Sequence, residues 1–582
     1  MAERTDLNTA GHTGSAAPSR AAPAAGRRLP STDAGTVALH WLTAVALIVS
    51  LGTGVRIAAD SLDDRVARAL AKIVPQGDVW TVHFAAGLTL LFCATAYVLY
   101  MARSGLQARV SGRRLRALAQ PSNARVRWGA LNVLLHWLLY GLLVTLAATG
   151  LLMFTGRGGW RVWVHEVCAL ATLGYVLAHV TTHYLFGGWR QLLRVVRPLA
   201  PLGARSRSRP FLIGALGGAV VVAGFAAFDV GSRDVLRVTR VDTPPALDGK
   251  LDDDAWRTAR PVIVHTSQGA NFGGTGESTV EIRAVHDDER IYFAFRWEDP
   301  TRSVRRTPLI KGDDGWHQLA TNVDIADVVD YYEDKLAVMF SRSDAFGVGD
   351  SIHLGAQPIA DRPPPLHGRG EHYTTDGSVI DVWHWKSTRG GILGQFDDQY
   401  FGPPRDPTPA EAARQVRYQA GYWNDPGDAA YLYNYEVEPP GGFRGPIHVL
   451  RLPKDLAAIQ ALMGPFDPDP DASVAERYRG WWMTESESVP YSEAADAAIP
   501  IGTIIPGVVI LGRFTGDRGQ VSAGSRWQDG HWTVEASRVL MSGSAYDQDF
   551  VPGRPLFLWV AVFDHNETRH TRHPRPVRIS IE

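Results

Sequence analysis

Five apolar stretches, near residues 36–58, 79–101, 128–154, 162–187 and 210–229, crowd into the first 230 residues of this 582-residue chain. Each is long enough to cross a hydrocarbon core of about 30 Å as a helix. A backbone in lipid has no water to bond, so such stretches must satisfy their own amides, which favours helices. Long apolar runs are missing after residue 230, so the remainder is predicted to fold in water. The fold class expected is an α-helical membrane bundle of four spans plus a fifth, followed by an all-β sandwich.

Charge divides the chain at the same place. Residues 1–230 carry 23 Lys+Arg against 9 Asp+Glu, a formal +14, and the rest carries 36 against 51, a formal −15. The surplus arginines sit in membrane loops: seven with no acid in 102–127 and six more in 188–209. The positive-inside rule puts both loops in the cytoplasm, the N-terminus inside, and everything from about Gly231 outside. The 191–209 segment is then a basic cytoplasmic loop. Residues 1–33, rich in Ala, Ser, Pro and Arg, are predicted to be disordered. No apolar core follows their early arginines, so they are not a cleavable signal, and the first span can act as an uncleaved signal anchor.

Only two cysteines are present, Cys93 and Cys168, both in apolar stretches. That excludes a disulfide framework, a CxxC zinc site and a CxxCH haem attachment. GxSxG, HExxH, Walker and dinucleotide motifs are absent. A basic nucleic-acid-binding face is absent too. An independent enzyme is therefore the weakest class.

Six histidines lie inside the first four spans: His40, His83, His136, His165, His179 and His183. An ionisable residue in lipid is costly and usually has a job. His165 and His179 are 14 residues apart on one helix, nearly four turns, so both project from one face roughly 21 Å apart. That spacing suits two haems stacked across a bilayer, held non-covalently by neutral imidazoles. Depth suggests the pairs: His83 with His165 near the outer face, His40 with His179 near the inner face. His136 and His183 are alternates for the inner ligands, or partners for a propionate or a quinone. The competing reading of each lone histidine is a hydrogen bond to a neighbouring helix.

Spans one and three repeat one another. LHWLTAVALIVSLGTG (39–54) and LHWLLYGLLVTLAATG (135–150) place His-Trp and Gly at the same offsets, and spans two and four share Val-His at His83 and His165. Together, LHWL opening span one, HxxxG from His83 to Gly87 and the His165, His179, His183 spacing resemble the bacterial cytochrome b(561) family over residues 35–190. That family includes the cytochrome b subunits of nickel–iron hydrogenases. The resemblance implies two b-type haems (haem b) with His40, His83, His165 and His179 as ligands, and electron exchange with quinone.

The second half reads as strands. STVEIRAVHDDERIYFAFRWED (278–299) alternates apolar and polar residues around a turn at Asp287–Arg290, and HWTVEASRVL (531–540) and LFLWVAVFDH (556–565) are further strands. Pro403–Ala412 and PFDPDPDAS (465–473) are predicted loops. The carboxylates Asp467, Asp469 and Asp471 alternate as calcium ligands can, but lack the glycine turn. Met339 sits in the apolar run Leu336–Phe340, which favours packing over ligation.

The motifs ALDGKLDDDAWRTARPV (246–262), EDKLAVMFS (333–341), DVWHWKSTRGG (381–391) and DDQYF (397–401) resemble the haem-binding, DOMON-like domain of the ethylbenzene dehydrogenase gamma-subunit family. Where some relatives carry CxxCH, this chain has GVGDSIHLG (347–355), which keeps His353 without cysteines. The resemblance implies a possible third, b-type haem held by His353 and by His570 or His573 of DHNETRHTRHP (564–574), with Met339 as a competing ligand. The neighbouring His384 reads as part of a packed WHWK signature. The function expected is electron transfer between the quinone pool and a periplasmic redox protein across a bacterial inner membrane, alone, as a homo-oligomer or as a complex subunit. The alternative is a haem-free β domain that docks a periplasmic oxidoreductase.

Overall fold

The computed structural model describes residues 33–59, 69–70, 73–75, 79–119, 123–196, 205–323, 327–344, 372–374, 376–413, 416, 418–436 and 445–582. The expectation of disorder for residues 1–33 falls outside these except for Asp33.

Five long helices form the first half: α1 (Ala34–Ala58), α2 (Val79–Arg103), α3 (Ala124–Phe154), α4 (Trp160–Leu192) and α5 (Arg205–Gly231). All five are long and apolar enough to cross a membrane. The last three run past the apolar stretches read from sequence, because arginine is a good helix former and can extend its charge toward water. Asp33 caps α1, accepting from the Thr36 amide at 2.9 Å, and also takes the Tyr100 hydroxyl of α2. Asn123 caps α3 through the Val126 amide. Helix α4 breaks at Gly187–Gly188, where the backbone leaves helical angles.

α2 packs between α1 and α5, while α3 packs along α4. Close approach of α5 to α2 needs small residues: a Cβ on Gly214 would lie 2.6 Å from the Ala96 carbonyl oxygen, and one on Gly218 2.8 Å from that of Phe92. Large apolar side chains such as Ile48, Val144, Leu170 and Leu216 point outward, as a lipid-facing surface requires.

The β domain follows α5 after three residues. One sheet runs in the order β8 (Tyr422–Asn424), β7 (Asp397–Phe401), β6 (Ile380–Lys386), β5 (Lys335–Ser341), β11 (Leu556–Phe563), β12 (Val577–Ile581), β1 (Val235–Arg240). It continues through β1 into β3 (Ser278–His286), β4 (Arg290–Glu298), β10 (His531–Val539) and β9 (Ser522–Gln528), with β2 (Val262–Thr266) on β3. β1 makes the fold curl: Val235–Val238 pair with β12 and Thr239–Arg240 with β3, both in parallel. The two halves enclose one apolar core, with Phe293, Phe340, Trp383 and Phe550 at one end and Trp297, Trp385 and Trp532 at the other. Strand alternation produced this core, since Trp383 and Trp385 face inward while His384 between them faces the other side. A second, smaller core around Leu309, Trp316, Val449 and Ile505 lies under short ribbons from residues 309–318 and 431–510. The stretch Pro403–Ala412, expected to be all loop, enters a short helix at Pro409–Ala413.

The β domain is seated on the bundle. Arg575 reaches Asp229 and its carbonyl at the end of α5, and Arg233 pairs with the same aspartate at 2.6 Å. Arg572 lies over the Trp80 ring of α2 and Arg575 over Phe154 of α3. The turn between α3 and α4 sits against β2, where a Cβ on Gly156 would collide with the His265 carbonyl oxygen.

Candidate haem sites

The ends of α1 to α4 nearest the β domain bring His83 of α2 and His165 of α4 together, with ring centres 6.4 Å apart and the rings inclined at 62°. Farther from it, His40 of α1 and His179 of α4 have the same 6.4 Å separation. Bonds of about 2.0 Å to one iron, plus about 1.2 Å from each nitrogen to its ring centre, place opposed imidazoles about 6.4 Å apart. Both pairs therefore fit bis-imidazole iron. His136 and His183 also approach His179, at 5.2 and 4.5 Å. Those separations are too short for an intervening iron and place both rings beside His179 rather than opposite it.

The repeat explains how the first pair is held. Thr53 Oγ1 lies 3.0 Å from His83 Nδ1, and Thr149 Oγ1 lies 2.9 Å from His165 Nδ1. Each threonine hydroxyl donates its own proton to a helix carbonyl, Val49 for Thr53 and Thr145 for Thr149, both at 2.8 Å. The imidazole must then be the donor, so the Nε2 lone pair is left for a metal. The next residue in each copy is the shared glycine. A Cβ on Gly54 would stand 3.4 Å from His83 Cε1, and one on Gly150 3.6 Å from His165 Cε1. Thr-Gly on one helix of each pair thus orients the histidine on the next. Two residues beyond Gly54, Arg56 is fully buried. Its guanidinium is suited to a haem carboxylate.

The second pair has a different surround. Tyr175 stacks on His179, with its hydroxyl 3.4 Å from Nδ1. His136 donates Nδ1–H to the Asn132 carbonyl at 2.5 Å, and Asn132 in turn accepts from Thr182 of α4. His183 Nδ1 lies 3.4 Å from Gln191 Nε2, just past the break in α4.

In the β domain the expected ligands do not assemble among the described residues. His353 lies outside them. Met339 packs with Ile380, Val382, Phe401 and Trp559 on the face of the sheet away from the main core. His570 rests on Phe563 and is 2.8 Å from the Thr571 carbonyl oxygen through Nδ1. His573 accepts the Val560 amide at Nε2 and donates Nδ1–H to the Arg575 carbonyl, so both nitrogens are occupied; burial lowers its pKa to about 4. His384 also stacks on Phe563 and turns Nδ1 to Gln399, while its buried Nε2 meets no partner among the described residues. Asp467 accepts the Asp469 amide and Asp469 the Asp471 amide, and Asp471 pairs with His565 at 2.8 Å.

Sequence reasoning missed the charge buried beneath this face. Glu333 holds Arg389, and Asp397 holds Lys386 and Arg518, with Tyr332, Tyr431 and Tyr433 around Arg389. Four of these residues, Glu333, Lys386, Arg389 and Asp397, lie in EDKLAVMFS, WKSTRGG and DDQYF, strand and turn text that reads as ordinary strand ends.

Comparison with known proteins follows the same division. Residues 31–198 match the family model of prokaryotic cytochrome b561, and residues 253–575 that of ethylbenzene dehydrogenase. None of the curated proteins matches the chain. Among solved structures, a family 9 carbohydrate-binding module from Caldicellulosiruptor kristjanssonii in complex with glucose is 9% identical, with 60% of this chain and 95% of that one covered and a TM-score of 0.21. The same module with cellotriose gives 9% identity, 60% and 93% coverage and 0.20. A carbohydrate-binding protein from Bacteroides uniformis ATCC 8492, so described from its crystal structure, gives 9%, 60%, 100% and 0.23.

Proposed function

The chain belongs to the ethylbenzene dehydrogenase family through residues 253–575 and to the prokaryotic cytochrome b561 family through residues 31–198, and on that premise we propose that it carries electrons between the quinone pool and a periplasmic redox partner. The observation that supports this most is the pair of 6.4 Å imidazole separations, one near each end of a four-helix bundle. When bound, two b-type haems supply a one-electron relay across the membrane. His83 and His165 would hold one iron and His40 and His179 the other. Thr53 and Thr149 fix the tautomer of the first pair, and Tyr175 bears on His179. Two imidazoles on each iron would leave no open position, which favours transfer over oxygen chemistry. His136 and His183, crowded beside His179, are placed to exchange a proton or hydrogen bond with a quinol at the bundle end away from the β domain.

The positive-inside rule, applied to the arginine-rich loops, supports the reading that this end faces the cytoplasm of a bacterial inner membrane and the β domain the periplasm. The division proposed is a cytochrome over 34–190, a fifth span over 210–229 and a β domain from 235 onward, the last serving as the contact surface for an oxidoreductase partner. The test is pyridine haemochrome quantitation with reduced-minus-oxidised spectra. The full chain should hold two extractable b-type haems, His165→Ala should lose one and His179→Ala the other, and His136→Ala should keep both. Covalent haem, or two low-spin haems in His179→Ala, would refute the assignment.

A further inference from the structure

Outside the membrane half, four aspartates from separate segments converge on one arginine at the edge of the sandwich core. Asp381 lies on β6, Asp398 on β7, Asp425 just after β8 and Asp547 in the loop before β11, while Arg538 comes from β10. All five side chains are essentially buried. Arg538 Nη1 is 2.9 Å from Asp381 Oδ2, 3.1 Å from Asp547 Oδ2 and 3.9 Å from Asp398 Oδ2. Asp381 Oδ2 also accepts the Gln548 amide.

That leaves most of the carboxylate oxygens idle. Asp381 Oδ1, Asp398 Oδ2 and Asp547 Oδ1 are buried and accept no hydrogen bond among the described residues; Asp547 Oδ2 has only the Arg538 ion pair, and the buried Asp425 carboxyl lies against the Asp547 carboxyl rather than a donor. Four carboxylates against one guanidinium make a formal −3 in a water-excluded site, and buried charge of one sign is not tolerated unless something neutralises it. Asp381, Asp398 and Asp547 each offer an oxygen within 4.8 Å of the other two. Calcium–oxygen bonds of about 2.4 Å allow ligand oxygens up to about 4.8 Å apart, and an all-carboxylate set without nitrogen or sulfur selects a hard cation. Magnesium would keep several waters, for which a set of buried protein oxygens is a poor match.

We propose that Asp381, Asp398, Asp425 and Asp547 bind one calcium ion. It ties β6 and β7 to the loops that carry Asp425 and Asp547. This site is independent of the haem assignment.

The test uses the purified full chain in detergent, stripped with EGTA and dialysed. Calcium chloride is titrated by calorimetry, magnesium chloride in a parallel arm, and unfolding is followed by tryptophan fluorescence at pH 6 and 8.5. One calcium per chain should bind and raise the melting temperature by about 5 °C at a hundredfold excess over Kd. Equimolar magnesium should give little. Asp425→Asn with Asp547→Asn should abolish binding and the calcium shift while keeping or raising the metal-free melting temperature, because repulsion is relieved. Absence of calcium binding by the stripped protein, or full binding by the double variant, would overturn the proposal. So would a stability that follows pH alone and ignores calcium, since protons would then be the neutralising species.

Discussion

Replacing Thr53 by valine keeps the shape of a buried side chain and deletes one hydroxyl, 3.0 Å from His83 Nδ1. That hydroxyl spends its proton on the Val49 carbonyl, so the bond lost is the one donated by the imidazole. Donation from Nδ1 makes the ring a stronger base at Nε2 and favours the ferric state of a bound iron. A net hydrogen bond contributes about 0.5–1.5 kcal/mol. Lost from the oxidised state alone, it raises a one-electron midpoint by roughly 20 to 60 mV, since about 1.4 kcal/mol corresponds to 59 mV. Haem affinity at that site should drop by about 10- to 100-fold. The assay is a spectroelectrochemical titration resolved into two components. Thr53→Val and Thr149→Val act on opposite ligands of one iron, so both should raise the same component and leave the other in place. Tyr175→Phe should move only the other, and Thr53→Ser should restore the parent value. Shifts of different components by the two valine variants, or of neither, would refute the pairing of His83 with His165.

Gly54→Leu should empty the same site, because its Cβ already stands 3.4 Å from the His83 ring, and so should Gly150→Leu, whose Cβ stands 3.6 Å from the His165 ring. Haem content per chain checks both. Asp397→Asn strips the partner from Lys386 and from Arg518, both buried, and should cost about 3–5 kcal/mol in denaturant unfolding. Burial alone would raise the Asp397 carboxyl, but Arg518 and Lys386 outweigh it and hold the pKa well below the usual range. Its contribution is therefore present above about pH 4 and fades as pH falls below that, and the asparagine variant should lack this acid-side loss. A C-terminal alkaline phosphatase fusion should be active, and a cytoplasmic-type reporter at the same point dark; the reverse would invert the orientation.

The membrane half was legible because its signals are local. Apolar length marks a span, and a 14-residue spacing fixes two rings on one face without knowledge of any neighbour. The threonines of the repeat were visible in SLGTG and LAATG but carried no flag, since a threonine in such a helix ordinarily bonds its own i−4 carbonyl. Their second role depends on which histidine lies on the adjacent helix. In the β domain, alternation exposed the strand at Arg290–Glu298 and its neighbours. It could not expose the parallel pairing of Val235 with Arg578, which joins segments more than 300 residues apart. Lys386, Arg389 and Asp397 read as strand ends and turns because charged residues are rarely buried. Only the packing of the small second core over them turns that text into interior.

The seam between the two halves sets a different kind of limit. Ser232–Asp234 is all that separates α5 from β1, and Arg233 and Arg575 both grip Asp229. Such a joint leaves no slack for a swinging head. A flexible tether would make each turnover wait for the domain to diffuse between two docking positions. Here the gap between the bundle and whatever meets the β domain is constant, so the waiting step moves to the arrival of the partner. Throughput should then rise with partner concentration and be insensitive to solvent viscosity at saturation, which is the behaviour of a fixed socket rather than a shuttle.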